Sequence, residues 1–170
     1  MTRKSFLSQG IAAIVFLTAR MRGQDSSQQP SAADQKSIDQ DVDLMRKDVR
    51  SQKKQIIAAN LQLTDAEATK FWPLYDQYTA ELVQINDAKY GAIKDYAANY
   101  NSMTDDKALA LTKQVLGVDQ SVAQLRMKYV PVFAKVIPGK KTAYFFQLDR
   151  RLVGLIDLQL ASAIPMVQQS

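Results

Sequence analysis

Apolar positions recur at three- and four-residue intervals through most of the chain, a period that predicts helices. From about Gln35 to Asn60, one stripe follows Ile38, Val42, Met45, Val49 and Ile56, with Gln52 in its remaining slot. A second run extends from Thr64 to about Tyr100 along Phe71, Tyr75, Tyr78, Leu82, Ile85, Ile93, Tyr96 and Tyr100. After the break "NYNSM", a third stripe has strict heptad spacing through Val115, Val118, Val122, Leu125, Tyr129, Val132 and Val136. "PGKK" at Pro138 ends it, and a fourth segment continues to about Ala163. No clean two-residue alternation bounded by turn residues competes with this pattern. The expectation is an all-α fold, and six Gly and five Pro in 170 residues agree with it.

Local signals fix where these helices begin. Thr64 can cap, and Glu67 three residues later can complete a capping box. Thr104 is placed to cap the third helix, with Asp105 and Asp106 suited to its N-terminal dipole. The two central helices are long, roughly 50 Å each, and the outer two are under about 40 Å. With a short central turn, this predicts a long antiparallel helical hairpin with two shorter flanking helices folded back along it.

Proline adds a shape to that hairpin. Pro73 and Pro131 both fall inside helical runs and are equidistant from Ser102, the expected centre of the turn. Equal distance from the turn means equal height in an antiparallel pair. Each proline deletes one helical hydrogen bond and bends the axis, so the hairpin is expected to bend at Pro73 and Pro131. The same reflection sets Phe71 opposite Phe133 and Tyr75 opposite Tyr129.

The N-terminal segment reads differently. Arg3 and Lys4 precede an apolar stretch centred on Ile11 to Leu17, which marks residues 1–23 as a secretory signal peptide. That stretch falls short of the roughly 20 apolar residues a membrane span needs. Residues 24–34, "QDSSQQPSAAD", are a polar linker expected to be disordered, and 35–165 form the helical domain. The leader holds four of the 22 Lys and Arg and none of the 17 acids, so 18 bases face 17 acids in the remainder. The basic balance therefore gives no argument for nucleic acid.

The chain has no cysteine and no histidine. Disulfides, Cys–His or Ser–His catalysis and imidazole or thiolate metal sites have no residues to use. The carboxylates come with no phosphate loop, nucleophile elbow or partner base, so neither enzyme activity nor a cofactor or metal is expected. What remains is binding to other proteins. Phe71, Trp72, Tyr75, Tyr129 and Phe133 are the candidate binding residues at the bend, against the alternative that they pack in the hairpin seam. Leu152, Leu155 and Ile156 belong to a fourth helix apolar on more than one side, a candidate dimer or client contact unless the chain buries it. Arg46, Lys47, Arg50, Lys53 and Lys54 form a basic side of the first helix that reads as a solvated face.

The segment "LTDAE", Leu63 to Glu67, preceded by a basic helix and followed by a long one, resembles the LTxxQ motif of the Spy/CpxP-like periplasmic proteins. Glu67 stands where that motif has Gln; a second copy would fall at "MTDDK", Met103 to Lys107, which lacks the Gln, or at "LTKQV", Leu111 to Val115, with Gln one place early, as in a divergent member. The resemblance in layout covers about residues 35–165. It implies a curved helical-hairpin homodimer in the periplasm, and a role as an ATP-independent chaperone or envelope-stress factor that holds unfolded clients. The alternative is a structural or sensory subunit with one dedicated envelope partner. The zinc response of some relatives has no histidine or cysteine here to support it.

Overall fold

The computed structural model describes residues 32–168, and the protein there is all-α. The expected signal peptide and most of the expected linker lie outside the described residues. Four helices follow in order: α1 (Ala32–Asn60), α2 (Asp65–Asn99), α3 (Asp105–Ala134) and α4 (Gly139–Ala163), with a 3₁₀ turn at Tyr100–Ser102. Helix α1 takes in Ala32 to Asp34, which the sequence assigned to the linker. The described chain divides into two compact units, one of residues 32–60 with 148–165 and one of residues 61–147 with 166–168.

In the second unit the helix boundaries follow their caps. Thr64 Oγ1 accepts from the Glu67 amide at 3.3 Å, and the Thr64 amide donates to Glu67 Oε2 at 2.8 Å, closing the capping box. Lys141 Nζ donates to the same carboxylate at 2.6 Å, so the cap also holds the first turn of α4. Thr104 Oγ1 accepts from the Lys107 amide at 3.3 Å and starts α3. These contacts satisfy donors that a helix end otherwise leaves open.

Contacts between α2 and α3 run antiparallel, as a hairpin requires. Near the turn, Lys107 Nζ lies 2.6 Å from Asp95 Oδ2. Further along, Lys128 reaches Glu81, also at 2.6 Å. Furthest from the turn, the Phe71 and Phe133 rings stand 5.1 Å apart, as the reflection about Ser102 predicts. The tyrosines depart from that reflection. Tyr129 packs its ring against Tyr78 at 5.3 Å, one turn beyond the expected Tyr75. Tyr75 meets Phe71 and Phe145 instead. A one-dimensional reflection fixes height only to within a turn, and both tyrosines lie on the same face of α2.

Pro73 and Pro131 lie inside α2 and α3 and are solvent-exposed. The carbonyls that lose a helical donor belong to Thr69 and Met127, residues that are themselves exposed. Water can satisfy them, which lowers the cost of an interior proline.

The core of this unit is aromatic. Phe71, Tyr75, Tyr78, Tyr129 and Phe133 are buried together with Phe145 from the first turns of α4. Phe145 is central, 4.7 Å from Phe133, 5.3 Å from Phe71 and 4.9 Å from Phe146. Leu111, Val118 and Leu125 continue the core towards the turn at seven-residue spacing.

The first unit is held differently. Among its described side chains, Val42, Ile57 and Leu152 are buried apolar residues, and Lys53 and Asp149 are buried with them. The sequence places Lys53 on a solvated basic face. Its ammonium instead lies 2.6 Å from Asp149 Oδ1, and the two side chains are 9% and 0% exposed. The inward stripe of α1 is therefore Val42, Val49, Lys53 and Ile57, and Gln52 stands beside it. Lysine's long apolar stem lets it occupy such a slot when its head is paired.

Two substitutions separate cap from core. Thr64→Ala removes the side-chain acceptor at the start of α2 and is expected to cost about 1 kcal/mol. Phe133→Ala empties the centre of the aromatic cluster and is expected to cost about 3–5 kcal/mol. Denaturant unfolding of each purified variant measures both, and comparable losses would contradict this assignment.

Candidate interaction surfaces

The aromatic candidates are mostly interior. Phe71 and Phe133 are fully buried, and Tyr75 and Tyr129 nearly so, at 1% and 4% exposure. They pack in the hairpin seam, the alternative that the sequence left open for them. The reason is α4: it brings Phe145 and Phe146 onto the seam and closes it. Trp72 is half-buried, with its ring 5.1 Å from Phe71 and 5.5 Å from Tyr75. The fourth-helix candidates divide by face. Leu152 is buried, Ile156 is half-buried, and Leu155 is 46% exposed beside Leu158 at 68%.

A second apolar surface, absent from the sequence expectations, lies on α3. In α3, Leu109, Leu116, Met127 and Val130 are exposed by 59%, 61%, 72% and 39%. Leu109, Leu116, Ala123 and Val130 are spaced by seven residues, the same spacing as the buried row Leu111, Val118 and Leu125. A shift of two residues turns about 200° around a helix, so the two rows occupy opposite sides of α3. The signal was legible as a second heptad row offset from the first. The stronger inward row, with its β-branched and aromatic residues, masked it.

Charges on the hairpin are fixed by specific partners. Glu81 accepts from Lys128 Nζ at 2.6 and 2.9 Å and from the Tyr129 hydroxyl at 2.7 Å. The Lys128 bond, followed by the Tyr129 bond, holds the Glu81 carboxyl below the usual carboxylate range. Glu67 is lowered too, first by Lys141 and then by the Thr64 amide. Burial pushes the Tyr129 phenol up to about 12, and its bond to Glu81 adds to the rise. The basic residues Lys47, Lys140, Arg150 and Arg151 are exposed, while Lys141 and Lys53 are committed to Glu67 and Asp149.

A raised tyrosine pKa favours the neutral phenol in the folded state. Its contribution to stability is complete below the unfolded value near 10 and is lost as pH rises through the folded value of about 12. The difference in tyrosinate absorbance between wild type and Tyr129→Phe is therefore expected to titrate with a midpoint of about 12. A midpoint at the ordinary tyrosine value would show the hydroxyl open to water.

Among the described residues no helix is long and apolar enough to cross a membrane. No protein-family model, no curated protein and no solved structure matches the chain.

Proposed function

We propose that this chain is an exported, ATP-independent chaperone-like protein that holds unfolded envelope proteins on exposed apolar rows of a helical scaffold. The observation that carries the reading is the outward row of α3. Leu109, Leu116, Met127 and Val130 stand in water on a helix whose opposite side is well packed. Exposed apolar side chains along a rigid helix can take hold of many sequences, because burial of apolar surface is non-directional. Met127 suits such a role through its flexible, polarizable thioether. Leu155 and Leu158 on α4 offer a second apolar surface for a client or for a second copy in a homodimer. Release needs no nucleotide, only dissociation.

Two further features support the reading. The contact between Phe71 and Phe133 sets two residues equidistant from the turn at one height, the relation that also links Pro73 and Pro131. A bend at that level would give the hairpin a curved side. The basic-then-apolar leader over 1–23 and the "LTDAE" resemblance support export to the periplasm.

The seven-residue spacing of the α3 row favours a second reading, a structural or sensory subunit with one dedicated helical partner. Coiled-coil partners are selected by that repeat. Both readings can be tested on the purified chain. At stoichiometric amounts it is expected to suppress light scattering by a chemically denatured client, and Leu116→Gln with Met127→Gln to weaken that suppression several-fold. Both positions are exposed, so the double variant is expected to keep its stability within about 1 kcal/mol. No suppression by wild type would exclude the chaperone reading. A single partner in pull-downs, lost in the same variant, would establish the alternative.

A further inference from the structure

Lys53 and Asp149 form a charge pair sealed inside the first unit, with Nζ and Oδ1 2.6 Å apart and side chains 9% and 0% exposed. Their positions in sequence are as informative as the distance. Lys53 interrupts the inward stripe Val42, Val49 and Ile57 of α1, and Asp149 stands one turn before Leu152 on α4. Each charge occupies a slot where an apolar repeat would otherwise continue.

Such a pair adds little net stability, because removing both ions from water offsets their attraction. Its effect on alternatives is larger. Apolar residues on two helices can shift past one another by a turn, about 5.4 Å, and still find apolar neighbours. A shift of Lys53 by one turn would carry its buried ammonium away from the Asp149 carboxylate, into the apolar stripe of α1. We propose that the Lys53–Asp149 pair is a register key. It fixes which turn of α1 meets which turn of the C-terminal half of α4, at no net gain in stability. Polar residues inside apolar helical repeats fix register in this way.

The absence of cysteine makes the test direct. Gln55→Cys on α1 and Arg151→Cys on α4, both exposed, can carry spin labels in the full chain, and the distance between them reports register. The otherwise unmodified pair is expected to give one narrow distance. Lys53→Met with Asp149→Leu should leave thermal stability equal or higher while the distance distribution broadens or splits. Asp149→Leu alone strands the Lys53 ammonium, and amide exchange over residues 42–57 should rise by about two to three orders of magnitude. The charge swap Lys53→Asp with Asp149→Lys should restore a single narrow distance. A doubly apolar variant that keeps the narrow distance overturns the proposal, as does Asp149→Leu with unchanged exchange. Should the doubly apolar variant fail to fold, the swap decides: a narrow distance supports the key and a broad one rejects it.

Discussion

Two long helices side by side enclose very little interior, since each buries only one stripe. Whatever fills that stripe must supply much area per residue, and in this hairpin it is the rings around Phe133 and Phe145. Phe145 lies 4.7 Å from Phe133, 5.3 Å from Phe71 and 6.0 Å from Tyr78. It comes from α4, so the hairpin is not complete as a pair and needs a third element to close it. The capping box repeats this dependence in polar form. The Glu67 carboxylate that caps α2 also receives Lys141, four residues before Phe145. A cap and a ring thus secure the start of α4 at two adjacent places.

Much of this architecture was legible in the sequence, because helix ends and heptad stripes are local signals. Thr64, Glu67 and Thr104 act as read, and none of the seven residues in the α3 stripe is exposed. What escaped depends on partners distant in sequence. Phe145 and Phe146 sit in a helix apolar on several sides, so periodicity alone could not tell which side meets the hairpin. The same ambiguity left Phe71, Tyr75, Tyr129 and Phe133 readable as surface or as core. Lys53 was misplaced for a sharper reason. A hydropathy stripe counts lysine as polar, and only Asp149, 96 residues away, makes its burial tolerable.

The two units solve the same problem of holding helices together by different means. One relies on stacked and edge-to-face rings, which contribute area and geometry. The other holds a sealed charge pair beside Val42, Ile57 and Leu152, and that pair contributes directionality. The hydrogen bonds of Glu81 stand between these modes, since Tyr129 offers its ring to the core and its hydroxyl to the carboxylate. Substituting that tyrosine therefore tests a polar contact without emptying the seam. The outward row of α3 takes part in none of this, and can change without cost to the scaffold.

The late arrival of Phe145 has a kinetic consequence. Chains are made from the N-terminus, and the α2–α3 hairpin can close early because its turn is short and its contacts are comparatively local. Until the first turns of α4 follow, Phe71, Phe133 and Tyr78 line a seam that is still open on one side. A hairpin that closes ahead of those turns would display the kind of apolar surface that aggregation exploits.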